Sequence, residues 1–303
     1  MLRDLVSLPL LAGKRLEAEG RRDDALKMYV LALRMGAHLG QDPFGCNGIS
    51  AFQFDAKGLR AIEDWLWSGP KDEETVAAVQ KRVHALSQGR PRWEPVAAAE
   101  LVLFDETVER LQQEPEFLDS YDFGWGFLET ARKNLVRTEA GQEILRRDSP
   151  WLREQLARRL ALPLHEYLRT LPEYDAAVRR RILWLTPGRI VAEMSECRAT
   201  RSYYGTDELY WTAFDVQCAL LRYKAAHGRF PDGLAELGPS MPSLGTDPFT
   251  NEPLKYRLEP DGSCTFWSVG KDLVDDGGVR PEDGKHWNEH DYVWSSAEIP
   301  GGQ

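Results

Sequence analysis

Cysteine is scarce in this chain. There are four in 303 residues, Cys46, Cys197, Cys218 and Cys264, far apart and with no Cys-x-x-Cys pair. That spacing gives no zinc signal and argues against a disulfide framework, so four buried, reduced thiols are expected. Long apolar runs are missing too. The stretch Leu5-Val6-Ser7-Leu8-Pro9-Leu10-Leu11-Ala12-Gly13 is too short to span a bilayer, and Asp4 speaks against a signal peptide. No excess of positive charge exists: 38 Lys and Arg stand against 48 Asp and Glu, a net charge of −10. Residues 231–303 hold 14 of the acidic groups and only 5 basic ones, which leaves the first 230 residues near neutral. An acidic tail disfavours a nucleic-acid partner and suits a cation or simple solubility. Motifs of the G-x-S-x-G, Walker or G-x-G-x-x-G type do not occur.

What the chain does have is an ordinary globular balance, 42% hydrophobic and 28% charged, with ten tryptophans to bury. Its length allows one large domain or two ordinary ones. The reading is α+β, with a helical domain over 1–200 and a helix-plus-sheet module over 201–303. Residues 1–37 predict a helical hairpin. Gly13, Gly20, Ala25, Tyr29 and Ala32 have the spacing of small and aromatic positions in a tetratricopeptide unit, where the Tyr fills the gap between close helices. No second copy follows, so a generic hairpin competes with a true repeat. Helices are predicted around 56–67, from 72 or 73 onward, and over 94–113, 125–136 and 150–169, with Pro115, Pro150 and Pro172 as breaks. The run Arg179-Arg180-Arg181 reads as a solvated face, with a phosphate or acidic-protein patch as the sharper alternative.

Asp207 to His227 gives the strongest helical pattern. Leu209, Ala213, Val216, Leu220 and Tyr223 recur in steps of four and three, Gly228 ends the helix and Pro231 prevents a restart. Short β segments follow at 254–258 and 264–269 around the turn Pro260-Asp261-Gly262-Ser263, and Tyr292-Val293-Trp294 offers a third strand. Three strands need something to pack upon, and the apolar stripe of the long helix is the obvious surface.

A loop rich in Asp and Gly lies between the last two strands. Asp272, Asp275, Asp276 and Asp291 can supply carboxylates, and Gly270, Gly277 and Gly278 can turn carbonyls inward. Calcium takes six to eight such oxygens, although the same residue types also simply form turns. The EF-hand spacing is absent. From Leu209 to Trp294 the chain resembles the globular part of the major pseudopilins of type II secretion. The resemblance rests on His227-Gly228-Arg229-Phe230-Pro231, on Asp247-Pro248-Phe249-Thr250-Asn251-Glu252-Pro253, on Trp267-Ser268-Val269-Gly270-Lys271-Asp272 and on Asp291-Tyr292-Val293. It also resembles the C-terminal region of uncharacterised planctomycete-type proteins with a helical front half. The pseudopilin resemblance implies a calcium loop, carried over to Asp272 and Asp291, with Asp275 or Asp276 as a third carboxylate and Ser268 nearby. Two departures stand out: Leu273 replaces a Gly, and the loop is longer. A pseudopilin-type leader is absent, so fibre assembly is not implied.

Other constellations are weaker. His286-Trp287-Asn288-Glu289-His290 matches H-x-x-E-H, but a zinc protease needs that motif on a helix. Phe123-Gly124-Trp125-Gly126-Phe127 reads as a packed corner. The sequence therefore predicts a non-enzymatic interaction or scaffold protein with a protein partner, a structural calcium ion and no membrane span. The alternative is a hydrolase or other enzyme, its site in the helical part or at the domain junction. Structural calcium points to an extracytoplasmic setting, and the missing signal sequence to the cytoplasm.

Overall fold

A glycine sets how the chain begins. The computed structural model describes residues 5–41, 45–87, 93–120, 127–182, 198–237, 245–279 and 290–298. Helix α1 (Ser7–Ala18) meets α2 (Arg22–Leu39) where Gly13 faces the fully buried ring of Tyr29. A Cβ at Gly13 would stand 2.2 Å from Tyr29 Cε1, so a bare backbone is what permits this approach. Helices α3 (Gly45–Trp67) and α4 (Glu73–Ser87) complete the layer, sending Leu59, Ile62, Leu66, Val76, Val79 and Val83 into one core.

The long helix α10 (Arg198–His227) enters that same core through Trp211, Phe214 and Cys218. Removing the Phe214 side chain from water contributes about 2–3 kcal/mol. The predicted stripe Leu209, Ala213, Val216 and Leu220 is fully buried as well, whereas Tyr223 is only half-buried. The helix is thus apolar on two sides. One serves the helical layer and another meets the sheet, with Tyr210 edge-on to Tyr292 and Trp294 at 6.4 and 6.0 Å.

The sheet has the order β1 (Lys255–Leu258), β2 (Cys264–Ser268), β3 (Tyr292–Ser295), antiparallel throughout. Tyr256, Phe266 and Trp294 share one register row, and the Phe266 and Trp294 rings stack at 5.3 Å. Every residue of the central strand is buried. The Asp261 carboxylate tightens the hairpin turn by accepting from the Ser263 amide and hydroxyl.

The chain divides into two compact units, one of residues 1–91 with 202–303 and another of residues 92–201. A break therefore falls at residue 201, but the first 91 residues belong with the C-terminal module, because α10 shares their core. The second unit holds α5 (Trp93–Gln113), α6 (Phe127–Val136), α7 (Glu139–Leu160), α8 (Leu164–Arg169) and α9 (Leu171–Arg181). Helix α7 begins at Thr138, whose hydroxyl caps the Gly141 amide at 3.0 Å. It then continues past Pro150, which the sequence suggests as a break. Leu145 on one side of that proline and Leu152 and Leu156 on the other share one core, and this packing outweighs the lost backbone bond. No helix among the described residues is long and apolar enough to cross a membrane.

Candidate functional site

The acidic loop is framed by the end of α10 and by the sheet. Gly228 closes the helix at φ 74°, donating to the Lys224 carbonyl at 2.8 Å. The chain then turns so that Phe230 is buried, with the Trp67 ring 5.9 Å away and the Lys224 ammonium 4.5 Å from its face. The Tyr256 hydroxyl donates to the Pro231 carbonyl at 2.7 Å, tying this corner to β1.

Asp247 pins the next turn from inside. It is buried, and its carboxylate accepts from the Phe249 amide at 2.9 Å, with the Ser268 hydroxyl and Val269 amide beside it. Burial nonetheless pushes its carboxyl above the usual range. Ser268, expected near the ion, lies beside Asp247, and its hydroxyl oxygen accepts from the Gly270 amide at 3.1 Å.

Asp275, Asp276 and Asp291 sit close enough for the first two charges to act on the third. Asp291 is 0% exposed; one of its oxygens accepts from the Gly278 amide at 2.7 Å, and the other, Oδ1, is enclosed with no hydrogen-bond partner. Burial raises its carboxyl above the ordinary range, and the Asp275 and Asp276 charges add to the rise against the Gly278 and Asp276 amides. Asp275 is held lower than usual, chiefly by the Trp267 indole N–H at 2.9 Å and then by the Gly277 amide at 3.0 Å. Asp276 is exposed and faces His290 Nδ1 at 3.4 Å.

Asp272 is engaged within its own turn: it is exposed and accepts from the Val274 amide at 3.1 Å. The next residue, Leu273, takes φ 61°, in the left-handed region that favours glycine. No three His, Cys, Asp or Glu side chains among the described residues are grouped closely enough to hold a metal ion as they stand. Among the described residues of this loop, the orphaned Asp291 oxygen is the feature that suits a cation: a buried carboxylate oxygen with nothing to accept from.

Several other predicted residues lie elsewhere. His286 to Glu289 and residues 121–126 are outside the described residues, as are the side chains of Cys46 and Cys197. Cys218 and Cys264 are buried and unbridged, and burial pushes both thiols up. Two pairs were not foreseen. His84 Nε2 lies 2.6 Å from Asp215 Oδ1, which also accepts from the Gln80 amide at 2.8 Å. Glu63 is buried in the core of the first unit, facing Gln217. A carboxylate amid the apolar positions Leu59, Ile62 and Leu66 was the available signal. The His84–Asp215 pair gave none, since 131 residues separate its members. No family model, curated protein or solved structure matches the chain.

Proposed function

We propose that this is a non-enzymatic interaction or scaffold protein whose C-terminal module is a pseudopilin-like helix and sheet closed by calcium. The observation that carries the ion is Asp291, fully buried with Oδ1 unpartnered beside Asp275 and Asp276. A calcium ion would accept that oxygen and return the carboxyl to its ionised form, offsetting the cost of burying it. Asp291, Asp275 and Asp276 would hold the ion, with loop carbonyls and water completing the shell. Asp272 would join only if its turn opened. Leu273 supports the resemblance in an indirect way: it adopts the backbone conformation that the glycine of pseudopilins would supply.

The interaction role is supported by the outer face of α1, where Leu8 and Leu11 are 64% and 67% exposed. A partner would cover this apolar surface. Thermal unfolding in calcium and in chelator tests the ion. The midpoint is expected to rise with calcium and to stop responding in Asp291→Asn; an unresponsive wild type sinks the proposal. Affinity capture with Leu8→Glu/Leu11→Glu as the negative control tests the partner, and recovery of the same proteins by both forms removes this face from the reading.

One observation favours the enzymatic alternative. His84 held by Asp215 is the pairing a general base uses, and the imidazole is partly exposed. Hydrolysis of an ester or phosphate substrate by the wild type and not by His84→Ala would replace the scaffold reading.

A further inference from the structure

The second unit contains a buried positive charge that has no counter-charge among the described residues. Arg159, in the last turn of α7, is 8% exposed. Its guanidinium carbon lies 4.1 Å from the ring centre of Tyr167 on α8 and 4.1 Å from that of Tyr174 on α9. The two aromatic faces offset part of the cost of taking the charge out of water, but they accept none of its N–H groups. Nε and Nη2 are both enclosed and without a hydrogen-bond partner.

These two atoms are neighbours. Together they form the edge of the guanidinium fork that grips two oxygens of one carboxylate or phosphate. The usual partners of a buried arginine are acidic side chains, because an unpaired buried charge costs several kcal/mol by order of magnitude. Here none of the described carboxylates takes that place. The surrounding charge has the matching sign: from Trp151 to Ile182 the chain holds seven arginines against four carboxylates, within a protein of net charge −10. Such a local excess draws small anions from solution. A neutral acceptor would satisfy the donors but leave the charge unneutralised, whereas an oxyanion does both.

We propose that Arg159, flanked by Tyr167 and Tyr174, is the centre of a binding site for a small oxyanion presenting two oxygens on one edge, a phosphate or a carboxylate. The tyrosines position the fork and keep water from competing for it. Because Nε and Nη2 are enclosed, the ligand enters as α8 and α9 part at their Thr170 junction.

The full chain is titrated with inorganic phosphate, and separately with acetate, against chloride at matched ionic strength. Binding is read from the thermal midpoint and from the Arg159 Nε–Hε resonance. The midpoint is expected to rise with one of the two anions and the resonance to move with the same concentration dependence. Arg159→Lys keeps the charge and loses the fork, so apparent affinity should fall about tenfold or more. Arg158→Gln removes the neighbouring exposed charge, ion-paired with Glu154, and should leave affinity unchanged. A response to phosphate alone assigns the ligand as phosphate-like, and to acetate alone as a carboxylate. Equal responses in wild type and Arg159→Lys, or a resonance that stays still with both anions, overturn the site. The resonance decides the matter in the wild type even where Arg159→Lys fails to fold.

Discussion

Glu63 on α3 and Gln217 on α10 face each other inside the first unit, 2% and 3% exposed. The Gln217 carbonyl is already engaged by the Trp67 indole at 2.8 Å, and the Arg60 guanidinium reaches Glu63 only at 3.9 Å. Burial therefore dominates and lifts the Glu63 carboxyl from 4.5 to about 7, against weaker opposing effects of Arg60 and Gln217.

A carboxyl raised in the folded state binds its proton more tightly there than in the unfolded chain. Its contribution to stability is complete below the unfolded value and is lost as pH rises through the folded one. Between about pH 5 and about pH 8 the wild type should lose on the order of 3 kcal/mol from this group. Glu63→Gln should flatten that dependence and be the more stable form at the higher pH. Urea unfolding at both values measures it, and parallel curves for the two proteins would contradict the assignment.

The close approach of α1 to α2 gives a second expectation. Gly13→Ala places a methyl group against a Tyr29 ring that is fully buried and held by a 2.8 Å bond from its hydroxyl to Glu17. The ring has little room to retreat, so a loss of roughly 1–3 kcal/mol is expected. A cost below a few tenths in equilibrium unfolding would mean that the two helices can separate freely.

His84 titrates in the opposite structural setting. The hydrogen bond to Asp215 raises the imidazole above its ordinary 6.5, and desolvation only partly opposes this. The pair stabilises the fold at acidic pH and releases that stability as pH rises through the raised value. Asp215→Asn should therefore destabilise more at about pH 5.5 than at about pH 9. The group is 43% exposed, so solvent screening keeps the effect small. NMR titration of the His84 ring checks the direction independently.

Leu273 carries a local cost. An L-residue at φ 61° is strained by about 1–2 kcal/mol relative to glycine, while glycine costs somewhat more entropy on folding. Leu273→Gly should leave the fold intact and raise stability by a net amount of about 1 kcal/mol or less. A marked loss would show that the half-buried leucine side chain matters more than its backbone.

Within the acidic loop the variants should rank by geometry. Asp291→Asn is expected to abolish the calcium response, Asp275→Asn or Asp276→Asn to weaken it, and Asp272→Ala to weaken it least, since Asp272 closes its own turn. Calcium titrations followed by unfolding midpoint give the order. A dominant effect of Asp272 would mean that its turn opens to reach the ion.

Sequence alone determined the parts whose cause is local. The steps of three and four along α10, the stop at Gly228 and the hairpin around Asp261-Gly262 all follow from periodicity and backbone preference, and each is found in place. The close contact of Gly13 with Tyr29 was legible for the same reason, as a small residue at the spacing of a crossing helix pair. What failed locally was Pro150, where a shared core overrode a breaker signal. Tertiary structure decided everything that depends on which distant surfaces meet. It placed the first 91 residues with the C-terminal module, enclosed Glu63, paired His84 with Asp215, and set Arg159 between two tyrosines from separate helices. Burial and charge act through space, and spacing along the chain carries that information only within a helix or a turn.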